Sequence, residues 1–196
     1  MRVGTKSVLF GVHQFLLHPI FVTRAWFILY GTMPRLHEWA AIITHDLGYF
    51  GKPNMDGPEG ETHPEVMAAW WRKHFGESSR WWWTGRLSFG ERVAVEILGH
   101  SRFHAAANGL PLSKLFRPDK LSTALYPRWL YLILGNLSGE IHEYMARCED
   151  RYKDMFKGKE MTQRQWLIEV QAHMALMGIE GGNNKAVAKQ MAEPKE

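Results

Sequence analysis

The chain has one cysteine, Cys148, among 196 residues, which excludes an internal disulfide framework and any zinc-finger spacing; a reducing cytoplasm is the expected setting. It lacks a clean apolar run. In "SVLFGVHQFLLHPIFVTRAWFILYG", His13, Gln14, His18, Pro19 and Arg24 interrupt the roughly 20 apolar residues a membrane span needs. No small-residue cleavage site follows a charged start, so this segment is expected to be core, with no signal or membrane anchor. Charge of one sign is also scarce: 24 Lys and Arg against 20 Asp and Glu leave +4. That excess suits an anionic small molecule and is too small and dispersed for a nucleic-acid groove. No run of alternating strands, internal repeat, phosphate-cradling glycine loop or dividing linker is visible.

What is present is apolar residues at helical spacing and ten histidines. The 45% hydrophobic content supports one globular core, expected over residues 1–180 with a polar tail at 181–196. Pro19 suits the first turn of a helix to about Tyr30, closed by Gly31. Further helices are expected over about Pro34–Leu47, from His63 to a stop at Gly76, and from Glu91 to about residue 99, then a turn or short helix. A stretch broken at Pro118, a long helix over about Pro127–Lys153 and a final amphipathic helix complete an all-α reading. Residues 48–62 read as a loop. "WWW" at 81–83 lies in another, where it could stack a nucleobase, pack a lid or form a subunit contact.

The segment "AIITHDLGYFGKPNMDG" ends an apolar helix with His45 and Asp46 side by side. A buried carboxylate there costs free energy unless something positive meets it. Histidine and aspartate recur at the ends of successive predicted helices: His18, His45-Asp46, His63, His100 and Asp119. These separations let the chain leave a site and return on another helix. Imidazole with carboxylate suits Zn, Mn, Fe, Co or Mg. Four histidines and two aspartates could hold one or two ions, and a water shared between two ions becomes a nucleophile near neutral pH. His13 is a rival to His18 in a less defined context. His37, His74, His142 and His173 read as surface or interface residues, and His104 as a neighbour of the site or surface. Arg102 and Lys120, beside presumed ligands, and Lys52, in the glycine-rich loop, are candidates to neutralise phosphate oxygens.

These residues resemble the HD-domain superfamily of metal-dependent phosphohydrolases over roughly residues 15–125. "THDLGY" is similar to its HD segment, and "HPEVMA" to the additional histidine motif of two-metal members. "LGHSRFHAAANGLPLSKLFRPDKL" resembles the later histidine-to-aspartate stretch of small hydrolases of dinucleoside polyphosphates. The resemblance implies a single-domain helical fold with the metal between central helices. First-ion ligands would be His18, His45, Asp46 and Asp119, and second-ion ligands His63 and His100. It implies hydrolysis of phosphoester or phosphoanhydride bonds in a small nucleotide, with Asp46 central to catalysis. Single-metal members place acidic catalytic residues soon after the HD pair. Here positions 47–55 hold no carboxylate, and Asp56 is the nearest candidate. The alternatives are a single-metal deoxynucleoside triphosphate triphosphohydrolase or 5'-nucleotidase, and a non-catalytic nucleotide-binding protein. No stable nucleic-acid or membrane partner is expected; homo-oligomerisation is compatible with the sequence.

Overall fold

The computed structural model describes residues 1–76, 87–151 and 161–180, with the backbone alone described at 148–151. It is all-α: no strand occurs among the described residues. Helices α1 (Val3–Phe10), α2 (Leu17–Tyr30) and α3 (Leu36–Thr44) come first, and α3 tightens into a 3-10 helix over His45–Tyr49. Next are α4 (Pro58–Glu61), α5 (His63–Phe75), α6 (Phe89–His100) and α7 (Arg102–Ala107). Then follow α8 (Phe116–Leu125), α9 (Arg128–Ser138), α10 (Glu140–Arg151) and α11 (Gln163–Glu180). Among the described residues no helix is long and apolar enough to cross a membrane. Trp81–Trp83 and the 181–196 tail lie outside the described residues.

Two apolar clusters organise the helices. Val22 and Trp26 of α2 pack with Ala41 and Ile42 of α3, Met67 and Trp71 of α5, and Val93 and Ile97 of α6. Tyr131 and Leu134 of α9 pack with Ile141 of α10 and Trp166 and Leu167 of α11. The α2 face against α8 joins the two halves, and α11 lies along α8 so closely that a Cβ on Gly178 would meet Leu121 Cβ at 2.8 Å. The helix ends facing this junction carry the histidines and aspartates.

Several boundaries differ from the sequence expectation. Pro118 does not break its helix: it lies in the first turn of α8, where its missing N–H has no intrahelical acceptor to serve. The expected long helix over Pro127–Lys153 is two helices. Gly139 (φ 86°) closes α9 in the left-handed conformation, and α10 starts at the next residue. The loop at 48–62 holds one helical turn, α4, opened by Pro58. Not all aromatics of 21–30 and 126–131 are core: Trp26, Tyr126 and Tyr131 are buried, whereas Phe27 and Trp129 are exposed. His37 is buried rather than superficial.

Candidate metal centre

Five helix ends deliver the six members of the predicted set. His18 comes from the first turn of α2, His45 and Asp46 from the 3-10 turn, His63 from the start of α5, His100 from the end of α6, and Asp119 from the first turn of α8. All six are buried. Their donor atoms form two groups, each within 4.8 Å: His18, His45, Asp46 and Asp119 in one, and Asp46, His63 and His100 in the other. Asp46 belongs to both because its two oxygens diverge. Oδ2 lies 3.2 Å from His18 Nε2 and 3.3 Å from His45 Nε2, whereas Oδ1 lies 3.7 Å from both His63 Nε2 and His100 Nε2. Asp119 Oδ1 closes the first group, 3.2 Å from His18 Nε2 and 3.5 Å from His45 Nε2. Its other oxygen accepts from Lys120 Nζ at 2.7 Å.

Short backbone contacts set the tautomers. His45 Nδ1 donates to Ile42 O at 3.1 Å and His63 Nδ1 to Gly60 O at 2.8 Å; His100 Nδ1 donates to Ile97 O. In each ring Nε2 is thereby turned inward, the usual orientation of a ligating imidazole. His63 Nε2 and His100 Nε2 then face one another at 3.2 Å, two acceptors that repel unless a cation or proton lies between them. Within the first group, His18 Nδ1, His45 Nε2 and Asp46 Oδ2 are buried with no hydrogen-bond partner. Two donors about 2.1 Å from a shared ion, at tetrahedral or octahedral angles, lie about 3.0–3.4 Å apart. The spacings of the first group, 3.2–3.5 Å, and its orphaned His45 Nε2 and Asp46 Oδ2 fit one divalent cation; the second group, with His63 and His100 at 3.7 Å from Asp46 Oδ1, is wider and would draw in slightly around an ion.

The electrostatics point the same way. Burial opposes ionisation of Asp46, but His45 and His13 outweigh it and hold this carboxyl well below its usual range. Burial likewise opposes ionisation of Asp119, and Lys120 and His18 reverse the balance. Burial would lower His45, yet the charges of Asp46 and Asp119 raise it to about 10. Burial and the neighbouring His100 push His63 down, and burial lowers His100. A cation in the first group must displace the His45 proton. Affinity of the first group for Mn²⁺ or Zn²⁺ is therefore expected to rise about tenfold per pH unit between about pH 6.5 and 9, with one proton released by the ion that binds there. The raised His45 also stabilises cation-free protein fully below about pH 6.5, a contribution lost as pH rises through about 10. Calorimetry in buffers of different ionisation enthalpy checks the proton release, and a flat pH dependence would remove this reading.

The other predicted residues are placed less uniformly. Lys120 reaches the centre through Asp119. Lys52 Nζ donates to Thr62 Oγ1 at 2.6 Å, one residue before His63. Arg102 contacts Met177 Sδ of α11 at 3.4 Å and lies over the Phe103 ring. Asp56 pairs with Arg147 at 3.8 Å and belongs to neither donor group. His104 does not continue the His100 face, since Ser101 ends α6 and caps α7; its Nδ1 lies 3.5 Å from Glu65.

Three neighbours of the centre were not legible as such. The Tyr49 ring stacks on His63 at 3.8 Å, and the His13 ring lies 5.3 Å from that of His18. Glu140, fully buried, holds His13. His13 was visible only as a rival of His18, and Glu140 gave no signal. A third donor group, His37, Glu38 and Glu96, is spanned by protein cations: Lys114 Nζ lies 3.2 Å from Glu38 and Arg92 Nη2 3.2 Å from His37. It reads as a buried ion-pair network. The chain matches no protein-family model, no curated protein and no solved structure, so the centre is read from its own geometry.

Proposed function

We propose that the chain is a divalent-metal-dependent phosphohydrolase of the HD type acting on a small nucleotide. The observation that carries this reading is Asp46, whose two oxygens each face a separate histidine group. His18, His45, Asp46 and Asp119 would hold one ion, and Asp46, His63 and His100 the other. Bound there, divalent cations supply Lewis acidity to phosphoryl oxygens and bring the pKa of a water toward neutrality.

The protein's own share is positioning. The backbone carbonyls of Ile42, Gly60 and Ile97 fix three imidazoles before any substrate arrives, so little reorganisation accompanies reaction. Lys120, partly exposed on the outer oxygen of Asp119, adds positive charge at the edge where an anion would enter. Apolar residues of similar volume would pack a purely structural helix junction at lower cost, which favours a ligand-holding role for these six buried residues. A small nucleotide is favoured over a nucleic acid by the near balance of the chain's charge, 24 cationic side chains against 20 acidic ones.

Protein purified without chelator, then supplied with Mn²⁺, Fe²⁺, Co²⁺, Zn²⁺ or Mg²⁺, is expected to release phosphate or a shortened nucleotide from at least one member of a panel. The panel comprises nucleoside mono-, di- and triphosphates, dinucleoside polyphosphates and cyclic nucleotides, and turnover should reach about 1 s⁻¹ or more. Metal-replete protein inert across the whole panel would overturn the hydrolase reading. Thermal stabilisation by one nucleotide without turnover would favour a binding protein instead.

A further inference from the structure

The Glu140 carboxylate is 0% exposed and saturated with donors. Its Oε1 accepts from Val12 N at 2.6 Å and Ser138 Oγ at 2.8 Å; its Oε2 accepts from Ser7 Oγ at 2.7 Å and His13 Nδ1 at 2.9 Å. Room for it is made by Gly11, where a Cβ would strike Glu140 Oε1 at 2.5 Å. Parts of α1, the α1–α2 connection, the end of α9 and the start of α10 therefore close around one carboxylate, and the only one of these four donors able to carry positive charge is His13.

The hydrogen bonds of His13 are all made at Nδ1, to Ser7 and Glu140. Nε2 has no partner among the described residues, and the side chain keeps 21% of its surface exposed. The ring is flanked by His18, Tyr49 and Tyr144, with centroids 5.3, 5.6 and 6.4 Å away, which sets it beside the first donor group. His13 is nevertheless outside both donor groups. A side chain serving only as counter-ion to Glu140 has no need of an unpartnered ring nitrogen on a ring that adjoins the centre.

We propose that His13 is a substrate-contacting residue: Glu140 orients its ring so that Nε2 meets an oxygen of the phosphate held at the ion centre. Glu140 is then a positioning residue acting through His13. The inference rests on the phosphohydrolase reading for its substrate class, but its test does not require turnover.

Asparagine places an amide where Nδ1 stood and so can keep the bond to Glu140, while removing the Nε2 edge. Glutamine reaches the Nε2 position. With the full chain loaded with Mn²⁺, ion content is measured by mass spectrometry and the Kd for inorganic phosphate by calorimetry. His13→Asn should keep both ions and weaken phosphate binding by about 10- to 100-fold, the loss of one charge-assisted hydrogen bond. His13→Gln should recover part of that loss, and Glu140→Gln should weaken phosphate binding by about 3- to 10-fold with ion content unchanged. If a substrate is in hand, KM should rise more than kcat falls. Phosphate affinity equal to wild type in His13→Asn, loss of an ion in that variant, or wild-type protein with no phosphate affinity would each overturn the proposal. Phosphate binding that depends on His13 in a protein inert on the whole substrate panel would overturn the hydrolase reading and uphold the assignment of His13.

Discussion

Asp46→Ala is expected to strip the protein of both ions and lower phosphoester turnover by at least about 10³-fold, some 4 kcal/mol of transition-state stabilisation. Removing His18 or His63 should each release only the ion nearer to it. The asymmetry follows from the divergence of the carboxylate: Oδ2 serves His18 and His45, and Oδ1 serves His63 and His100. Asp46→Asn, which keeps the volume and removes the charge, should resemble Asp46→Ala in ion content. Elemental analysis of the four single variants beside wild type, with turnover on the same samples, checks this. Full hydrolysis or full metal content in Asp46→Ala would refute it.

Gly48→Ala should damage the second group alone. A Cβ at Gly48 would lie 2.0 Å from His63 O and 2.8 Å from His63 C, a collision with backbone that no side-chain rotation relieves. The start of α5 must move, carrying His63 away from Asp46 Oδ1 and from its stack on Tyr49. Ion content is expected to fall from two to about one and turnover by about 10²-fold or more, with a stability loss of about 1–3 kcal/mol from overpacking. Gly51→Ala is the control. Gly51 also lies in this turn, with φ +85° and nothing within 4 Å of its Cβ position, so it should cost about 1 kcal/mol and leave both ions in place. Denaturant melts and elemental analysis of the pair separate a displaced histidine from a general loss of stability. Two retained ions in Gly48→Ala would contradict the packing argument.

What the sequence could tell depended on whether a residue's role was local. Gly31 and Gly76 stop helices through short-range backbone chemistry, and both act where expected. His18, the His45-Asp46 pair, His63, His100 and Asp119 stood out because polar residues at helix ends adjoining apolar runs have few bland uses. Their convergence needed only that the helices pack end-inward. Glu140 could not be found this way. It follows a glycine in a segment that reads as one long helix, and a lone glutamate in such a segment reads as solvent-facing. Its meaning comes from Ser7, Val12 and His13, more than a hundred residues away in the chain. His37 is hidden for a related reason: Arg92 and Lys114 arrive from distant segments to meet a buried cluster, and nothing adjacent in the sequence announces them. Pro118 reads as a break because proline disrupts helix interiors, although the first turn accepts it. The split at Gly139 is hidden for the opposite reason, since one glycine inside an apolar periodic run is usually tolerated.

The central claim is that one carboxylate stands between two cation subsites built from six residues far apart in the chain. Anomalous diffraction from crystals grown with Mn²⁺ or Zn²⁺ tests it most directly. The account predicts two anomalous peaks about 3.5–4 Å apart, on either side of the Asp46 carboxylate. One peak lies among His18, His45 and Asp119, and the other beside His63 and His100. An ion bound elsewhere, or no peak at Asp46 in metal-saturated crystals, would contradict it.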